Sequence, residues 1–143
     1  MKNITPVWHT TSRLVKGEDL NHHGSLFAGR SAEWFVESGF ISVAALLNPK
    51  NVVCMKIHGM HFKRPAYPGE VITFSSKVVY TGRSSIVSYV KVTGSASSDD
   101  YVNGFITFIH VDDHTRALAH NLVVVAETDE DKELYSMAEN LRK

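Results

Sequence analysis

Apolar residues recur with helical spacing between Arg30 and Leu47. At about 100° per residue, Ala32, Phe35, Val36, Gly39, Phe40, Val43, Leu46 and Leu47 share one stripe, and Pro49 stops the pattern. Glu33 and Glu37 flank the stripe one turn apart, while Trp34 and Ile41 fall on the far side. A helix apolar on two sides is expected to be covered twice. Beyond Pro49 the spacing changes to two. Val52 to Phe62 reads as a strand, broken by Arg64-Pro65 and Pro68-Gly69. Ile72, Phe74, Val78 and Tyr80 alternate with polar neighbours up to a Gly82-Arg83 turn. Ile86, Val90 and Val92 mark one face of the next strand, and Val87 and Tyr89 the other. Ser95 to Asp100 reads as a loop. Phe105, Ile109 and Val111 then share a face opposite Ile106 and Phe108. Val7 to Val15 predicts a first strand, and Leu122 to Val125 is a short apolar run. Thr128 is placed to cap a C-terminal helical tail, with Asp129 and Glu130 in its first turn and Arg142 and Lys143 at its end.

One long helix followed by hairpin-linked strands predicts the α+β class: a curled antiparallel sheet wrapped around one long central helix. At 143 residues the chain is one domain, from 1 to 143, with the helical tail from about 128. Apolar residues at 43% and charged residues at 21% are ordinary for a soluble globular protein. Fifteen basic and fifteen acidic residues cancel, so no overall charge draws the chain to nucleic acid or to an anionic membrane. Cys54 is the single cysteine, which excludes an intramolecular disulfide and a thiolate metal cluster. Met1 to Gly17 has no apolar core of signal-peptide length, and no run approaches the roughly 18 residues of a membrane span. A cytoplasmic location is expected. Sheet edges left over from a small sheet invite pairing with a second copy.

Most familiar chemical signatures are absent. His58 and His61 are three apart, which on a continuous strand places them on opposite faces, and no metal site is expected. No glycine-rich phosphate loop and no Gly-x-Ser-x-Gly elbow occurs. Cys54 within a predicted strand reads as a small buried hydrophobe. The segment Asp19-Leu20-Asn21-His22-His23-Gly24-Ser25-Leu26-Phe27-Ala28-Gly29-Arg30 differs. It sets polar side chains and glycines before a helix N-terminus, whose unpaired N–H groups suit a carbonyl oxygen gaining negative charge. Gly29 permits close approach of backbone. Without further support the segment is equally a loop and a helix start.

The run from Lys16 to Arg30 with Trp34-Phe35-Val36-Glu37 resembles the signature of hotdog-fold acyl-CoA thioesterases, of the bacterial acyl-CoA hydrolase type related to the mammalian cytosolic acyl-CoA hydrolases. Met60-His61-Phe62-Lys63-Arg64-Pro65, Pro68-Gly69-Glu70 and Gly82-Arg83-Ser84-Ser85 resemble three later pieces of that family, in order. The resemblance covers about residues 7 to 112. It implies a hotdog fold and hydrolysis of acyl-CoA thioesters to coenzyme A and a carboxylic acid. Coenzyme A would be part of the substrate and no cofactor is implied. It further implies a homodimer assembled into a tetramer or hexamer, with no nucleic-acid or membrane partner. Asn21 matches the asparagine that orients thioester or water, and Gly29 the glycine whose N–H serves the oxyanion. Arg64, Gly82, Arg83, Ser84 and Ser85 match positions that meet coenzyme A. Arginine binds phosphate with a planar fork, although Arg64 and Arg83 in solvated turns need no ligand.

One position departs from the family. Its aspartate is replaced by Val36, which cannot activate water. Glu37 follows directly and is the expected general base, with Glu33 as the other helix acid; both are equally explained as exposed helix acids. The alternative to hydrolysis is an acyl-CoA or acyl-carrier binding protein. His23 beside the helix start keeps a hydratase or dehydratase open, and a purely structural dimer is the remaining reading.

Overall fold

A computed structural model describes residues 1–141, so the expectation for Arg142 and Lys143 lies outside the described residues. In chain order the elements are β1 (Lys2–Ile4), β2 (His9–Leu14), α1 (Ala28–Ala44), β3 (Val52–Ile57), β4 (His61–Phe62), β5 (Val71–Thr81), β6 (Ser85–Gly94), β7 (Ser97–His110), β8 (Leu122–Val124) and α2 (Asp129–Asn140). The main sheet is antiparallel, in the order β2-β5-β6-β7-β3, with β4 also pairing β7. It curls around α1, the wrapped arrangement that the resemblance implied. A second sheet pairs β1 with β8 in parallel.

The inner core lies between α1 and the sheet and includes Phe35, Val43, Ile72, Phe74, Val90 and Phe108. Small residues on α1 set its depth. A Cβ on Gly39 would lie 2.8 Å from Ile106 Cδ1. On either side, hydroxyls bond across the gap: Ser76 Oγ donates to Ser38 O (2.6 Å), Ser88 Oγ to Gly39 O (2.9 Å), and Ser42 Oγ lies 2.6 Å from Ser88 Oγ. Burying these hydroxyls is tolerable because each has a partner.

Several sequence expectations need correction. The strand over Val52 to Phe62 is two strands, parted at Gly59 with φ +127°. The Gly59 carbonyl passes so close to Gly104 that a Cβ there would collide with it. Ser97 to Asp100 is strand, not loop, because Gly94 pairs directly with Ser97 and leaves a two-residue turn. Trp34, on the far side of the α1 stripe, is covered as expected, though in part by a cation. It packs edge-on against Phe74 at 6.0 Å, and the Arg13 guanidinium of β2 covers it at 5.2 Å. Cys54 is exposed, since β3 is the sheet's edge; Val53, Met55 and Ile57 are exposed beside it. The segments β1 and β8 are too short to announce themselves by periodicity. No helix among the described residues is long and apolar enough to cross a membrane.

Helix α2 packs on the outer face of the sheet through Leu134 and Ala138, against Val79, Tyr80, Val87 and Phe105. Thr128 Oγ1 caps it by accepting from Asp131 N (3.1 Å). Its strongest polar tie is the buried Lys77 of β5, whose Nζ donates to Asp131 Oδ1 (2.6 Å) and Glu130 Oε1 (2.9 Å) and stands 4.1 Å from the Trp8 ring centre. Removing one member strands a buried charge. Asp131→Ala should therefore lower unfolding free energy by about 3 kcal/mol, while Lys77→Met with Asp131→Leu should recover most of it. Urea denaturation of the three proteins checks this; equal losses in single and double variants would show that the pair is immaterial.

Candidate functional site

The polar loop before α1 is built by its own side chains. Asn21 Oδ1 accepts from His23 N (2.8 Å) and Ser25 N (3.2 Å), and Asn21 Nδ2 donates to Ser25 Oγ (3.2 Å). Gly24 takes φ +78° to let the chain turn. The buried Asp19 ties this loop to the helix: its Oδ2 accepts from Lys16 N (3.0 Å), its carbonyl accepts from Phe27 N (2.8 Å), and its Oδ1 lies 3.5 Å from Arg30 Nε. Arg30 N and Ser31 N both donate to Phe27 O, which leaves Ala28 and Gly29 N–H without a protein acceptor among the described residues. These two donors sit at the positive end of a 17-residue helix. The half-exposed Phe27 ring lies over Gly29, where a Cβ would come within 2.5 Å of it. The α1 N-terminus thus presents two unpartnered N–H groups beside one aromatic ring.

Further along α1 the two flanks differ. Glu37 Oε1 accepts from Arg13 Nη2 (2.8 Å), and Glu33 stands 3.8 Å from Arg30; both acids are exposed. Glu37 therefore leans toward β2. Val36 lies about 100° around the helix from Glu37, packed against the core and one turn before Phe40, which packs against Phe108 of β7 at 5.7 Å. The aspartate-to-valine departure thus places an apolar group on the β7 side, and the nearest acid is held on the β2 side.

The turn between β5 and β6 closes through Gly82 N to Ser85 O (3.0 Å). Arg83, Ser84 and Ser85 line a cavity of about 390 Å³ with Lys56, His58, Thr107, Met55, Ile109 and Leu141. Two cations at one mouth suit phosphate, and the apolar remainder suits a chain that is not charged. Ser85 Oγ is buried with no partner, so the cavity holds an unused hydroxyl. His58 Nε2 lies 2.6 Å from Thr107 Oγ1. Burial, helped by the Lys56 charge, pushes the His58 pKa down from its ordinary value. The Cys54 thiol pKa is pushed up by burial, the reverse of what a thiolate nucleophile needs.

Arg64 is elsewhere. Its guanidinium stacks 4.9 Å over the Tyr101 ring, and Lys63 N bonds Tyr101 O. Tyr101 also donates to Glu70 Oε1. Ser85 pairs with Ile109, at the other end of β7. From Tyr101 to Ile109 the strand runs about 26 Å at roughly 3.3 Å per residue. Leu26 N donates to Ala66 O (2.8 Å), so the Asn21 loop and Gly29 share the Arg64 end. One subunit therefore divides the expected residues into two groups. Asn21, Gly29 and Arg64 gather at one end of the sheet, and Gly82, Arg83, Ser84 and Ser85 at the other, with Glu37 between them on the β2 flank.

Sequence reasoning did not single out Asp19, Lys56, or the histidines behind the Arg83 turn. Asp19 could have been found as an acid three residues after Lys16, the spacing of a tight turn. His23 stacks on His22, with ring centres 3.9 Å apart, and both are exposed. No group of three or more His, Cys, Asp or Glu among the described residues is arranged to hold a metal.

Comparison with known proteins matches residues 23–96 to the thioesterase superfamily model. An apo-hexameric acyl-CoA thioesterase superposes with a TM-score of 0.88 at 26% identity, covering 98% of this chain and 92% of that one. An acyl-CoA hydrolase from Bacillus cereus gives 0.87 at 24% identity over 99% and 88%. The acyl-CoA hydrolase from Staphylococcus aureus, solved with butyryl coenzyme A, coenzyme A and coenzyme A disulfide, gives 0.85 at 22% identity over 98% and 85%. No curated protein sequence matches the chain.

The loop before α1 depends on Asn21 as acceptor. Asn21→Ala should cost about 1 kcal/mol of stability, and Asn21→Asp, which keeps the Oδ1 acceptor, should cost less. Urea melts with amide exchange at His23 and Ser25 check this; equal protection in Asn21→Ala and wild type would show that the side chain does not hold the turn.

Proposed function

This chain belongs to the thioesterase superfamily, and from that premise we propose that it hydrolyses acyl-coenzyme A thioesters to coenzyme A and a carboxylic acid. The observation that carries the reading is the full-length superposition on an acyl-CoA thioesterase at 26% identity. In this scheme the thioester carbonyl oxygen points at the Ala28 and Gly29 N–H groups, and Asn21 orients the carbonyl or the water. Water adds to the carbonyl carbon while a base takes its proton. The C–S bond then breaks, and the coenzyme A thiolate takes up a proton. The donors at α1 do not move to meet the oxyanion, so its stabilisation requires no reorganisation.

Glu37 is the proposed base, with Arg13 Nη2 donating to its Oε1 (2.8 Å). Coenzyme A is substrate, so no resident cofactor is needed. Its phosphates are assigned to Arg83 and Arg64, and its pantetheine to Gly82, Ser84 and Ser85. A homodimer is proposed to complete the site. Two copies joined antiparallel along β3 would bring the α1 N-terminal end of one to the Arg83 end of the other. Exposed Val53, Met55 and Ile57 on that edge support the pairing. Relatives described as hexameric support further assembly of dimers. Sedimentation at micromolar concentration should show a dimer or a multiple of it; a lone 15.9 kDa species would overturn this arrangement.

A second reading, binding without hydrolysis, is favoured by one observation. Variants of the Staphylococcus aureus hydrolase replace an asparagine and an aspartate by alanine, and those two residues are as far apart in sequence as Asn21 and Val36 here. The equal spacing supports reading Val36 as the position of that aspartate, and the neighbouring Glu37 is engaged by Arg13. A hydrolysis screen over acyl chain lengths separates the two readings. If Glu37 is the base, Glu37→Gln should lower turnover about 10²–10⁴-fold, with Glu33→Gln costing little. If the wild type is inert on every ester and Val36→Asp gains turnover, the binding reading replaces hydrolysis.

A further inference from the structure

We propose that His120 is a positioning residue that holds the Arg83-Ser84-Ser85 turn in its ligand-binding shape; the inference rests on the assignment of that turn to coenzyme A. Its three successive carbonyls are held from the last residue of β7 and from the segment that follows it, and Ser85 O also accepts from Gly82 N (3.0 Å) within the turn. His120 N donates to Arg83 O (3.2 Å), His110 N to Ser84 O (2.8 Å), and the His120 ring to Ser85 O through Nε2 (2.9 Å). The ring's tautomer follows from its second contact. Leu122 N donates to His120 Nδ1 (2.9 Å), so Nδ1 carries no proton and Nε2 is the N–H that Ser85 O accepts. Asn121 takes φ +60°, a left-handed conformation that asparagine tolerates, and this reverses the chain so that the Leu122 N–H points back at the ring.

The ring is buried, and both nitrogens are engaged, so it cannot rotate without losing two hydrogen bonds. With the three carbonyls drawn inward, the turn presents the Arg83 and Ser84 side chains to the cavity that Lys56 and His58 also line. The ring touches no reacting atom in this arrangement. Its effect on ligand is through the backbone of residues 83–85.

The test uses the whole protein and coenzyme A as probe. His120→Asn retains an oxygen for the Leu122 N–H but is too short for Ser85 O. His120→Gln reaches Ser85 O but gives up the Leu122 contact. Loss of one net hydrogen bond corresponds to about 3- to 10-fold, so coenzyme A affinity by calorimetry, and KM where turnover is seen, should weaken by that factor in His120→Asn. His120→Gln should stay near wild type, and kcat should change less than KM in both. Arg83→Ala serves as the control on the underlying assignment. If Arg83→Ala leaves coenzyme A affinity unchanged, the turn is not the ligand site. If Arg83→Ala weakens binding but His120→Asn and His120→Gln behave alike, the positioning role of His120 is wrong. Amide exchange of the wild type covers the case in which a variant does not fold. His110 and His120 N–H should exchange as slowly as the β6–β7 ladder, and rapid exchange at His120 would overturn the clamp.

Discussion

Close approach of α1 to its sheet governs the rest of the structure. Gly39 leaves no room for a methyl group against Ile106, and the paired hydroxyls of Ser42 and Ser88, with Ser76 reaching Ser38 O, fix the helix both in depth and along its axis. Depth alone would come from any small residue. Axial position needs directional bonds, and these buried hydroxyls supply them. The α1 N-terminus is thereby held at one end of the sheet, where Ala28 and Gly29 face outward, and α1 lies along the sheet as a rigid spacer toward the end that carries Arg83.

That spacing separates the expected residues of one subunit into two groups. The unpartnered α1 N–H groups and Arg64 lie at one end of the sheet, and Arg83 with its neighbouring hydroxyls at the other. The edge strand β3 is the only described long strand of the main sheet besides β2 with an unpaired side, and its exposed apolar residues differ from the alternating polar surface of β2. The asymmetry between the two edges is a division of labour: β2 supplies Arg13 to cover Trp34, and β3 is left open.

What was legible in the sequence follows from the range of the interactions involved. The α1 stripe and the β5-β6-β7 meander show in local spacing, because each buries a face whose period is set by its own backbone. The helical wheel showed that Trp34 needs cover but not that a cation from β2 supplies part of it. Cys54 misled because an edge strand and a central strand share the same residue preferences. The Ser97 to Asp100 segment is polar and looks like a loop, yet it is held as strand by its pairing with β6. The site motifs fall in the loop before α1, after β4 and at the β5–β6 turn. Their separation along β7, and the pairing of Glu37 with Arg13 of β2, are tertiary facts that need the sheet's curl to be known. His120 carried no signal, since a single histidine in a loop has many ordinary explanations.

The parallel pairing of β1 with β8 has a kinetic consequence. Lys2 meets Leu122, so the contact closes a loop of nearly the whole chain, whereas the β5-β6-β7 hairpins close loops of a few residues. Loop closure of that length is the slowest entropic step available to a chain whose other pairings are local or half-local. The meander and α1 are expected to condense first, and the N-terminal strand to dock afterward onto Leu122–Val124, immediately beyond His120 and Asn121. Maturation of the end of the sheet that carries Arg83 would then lag behind formation of the core, a delay that pulse-labelled amide exchange at Val125, which bonds Ile4 O, would time directly.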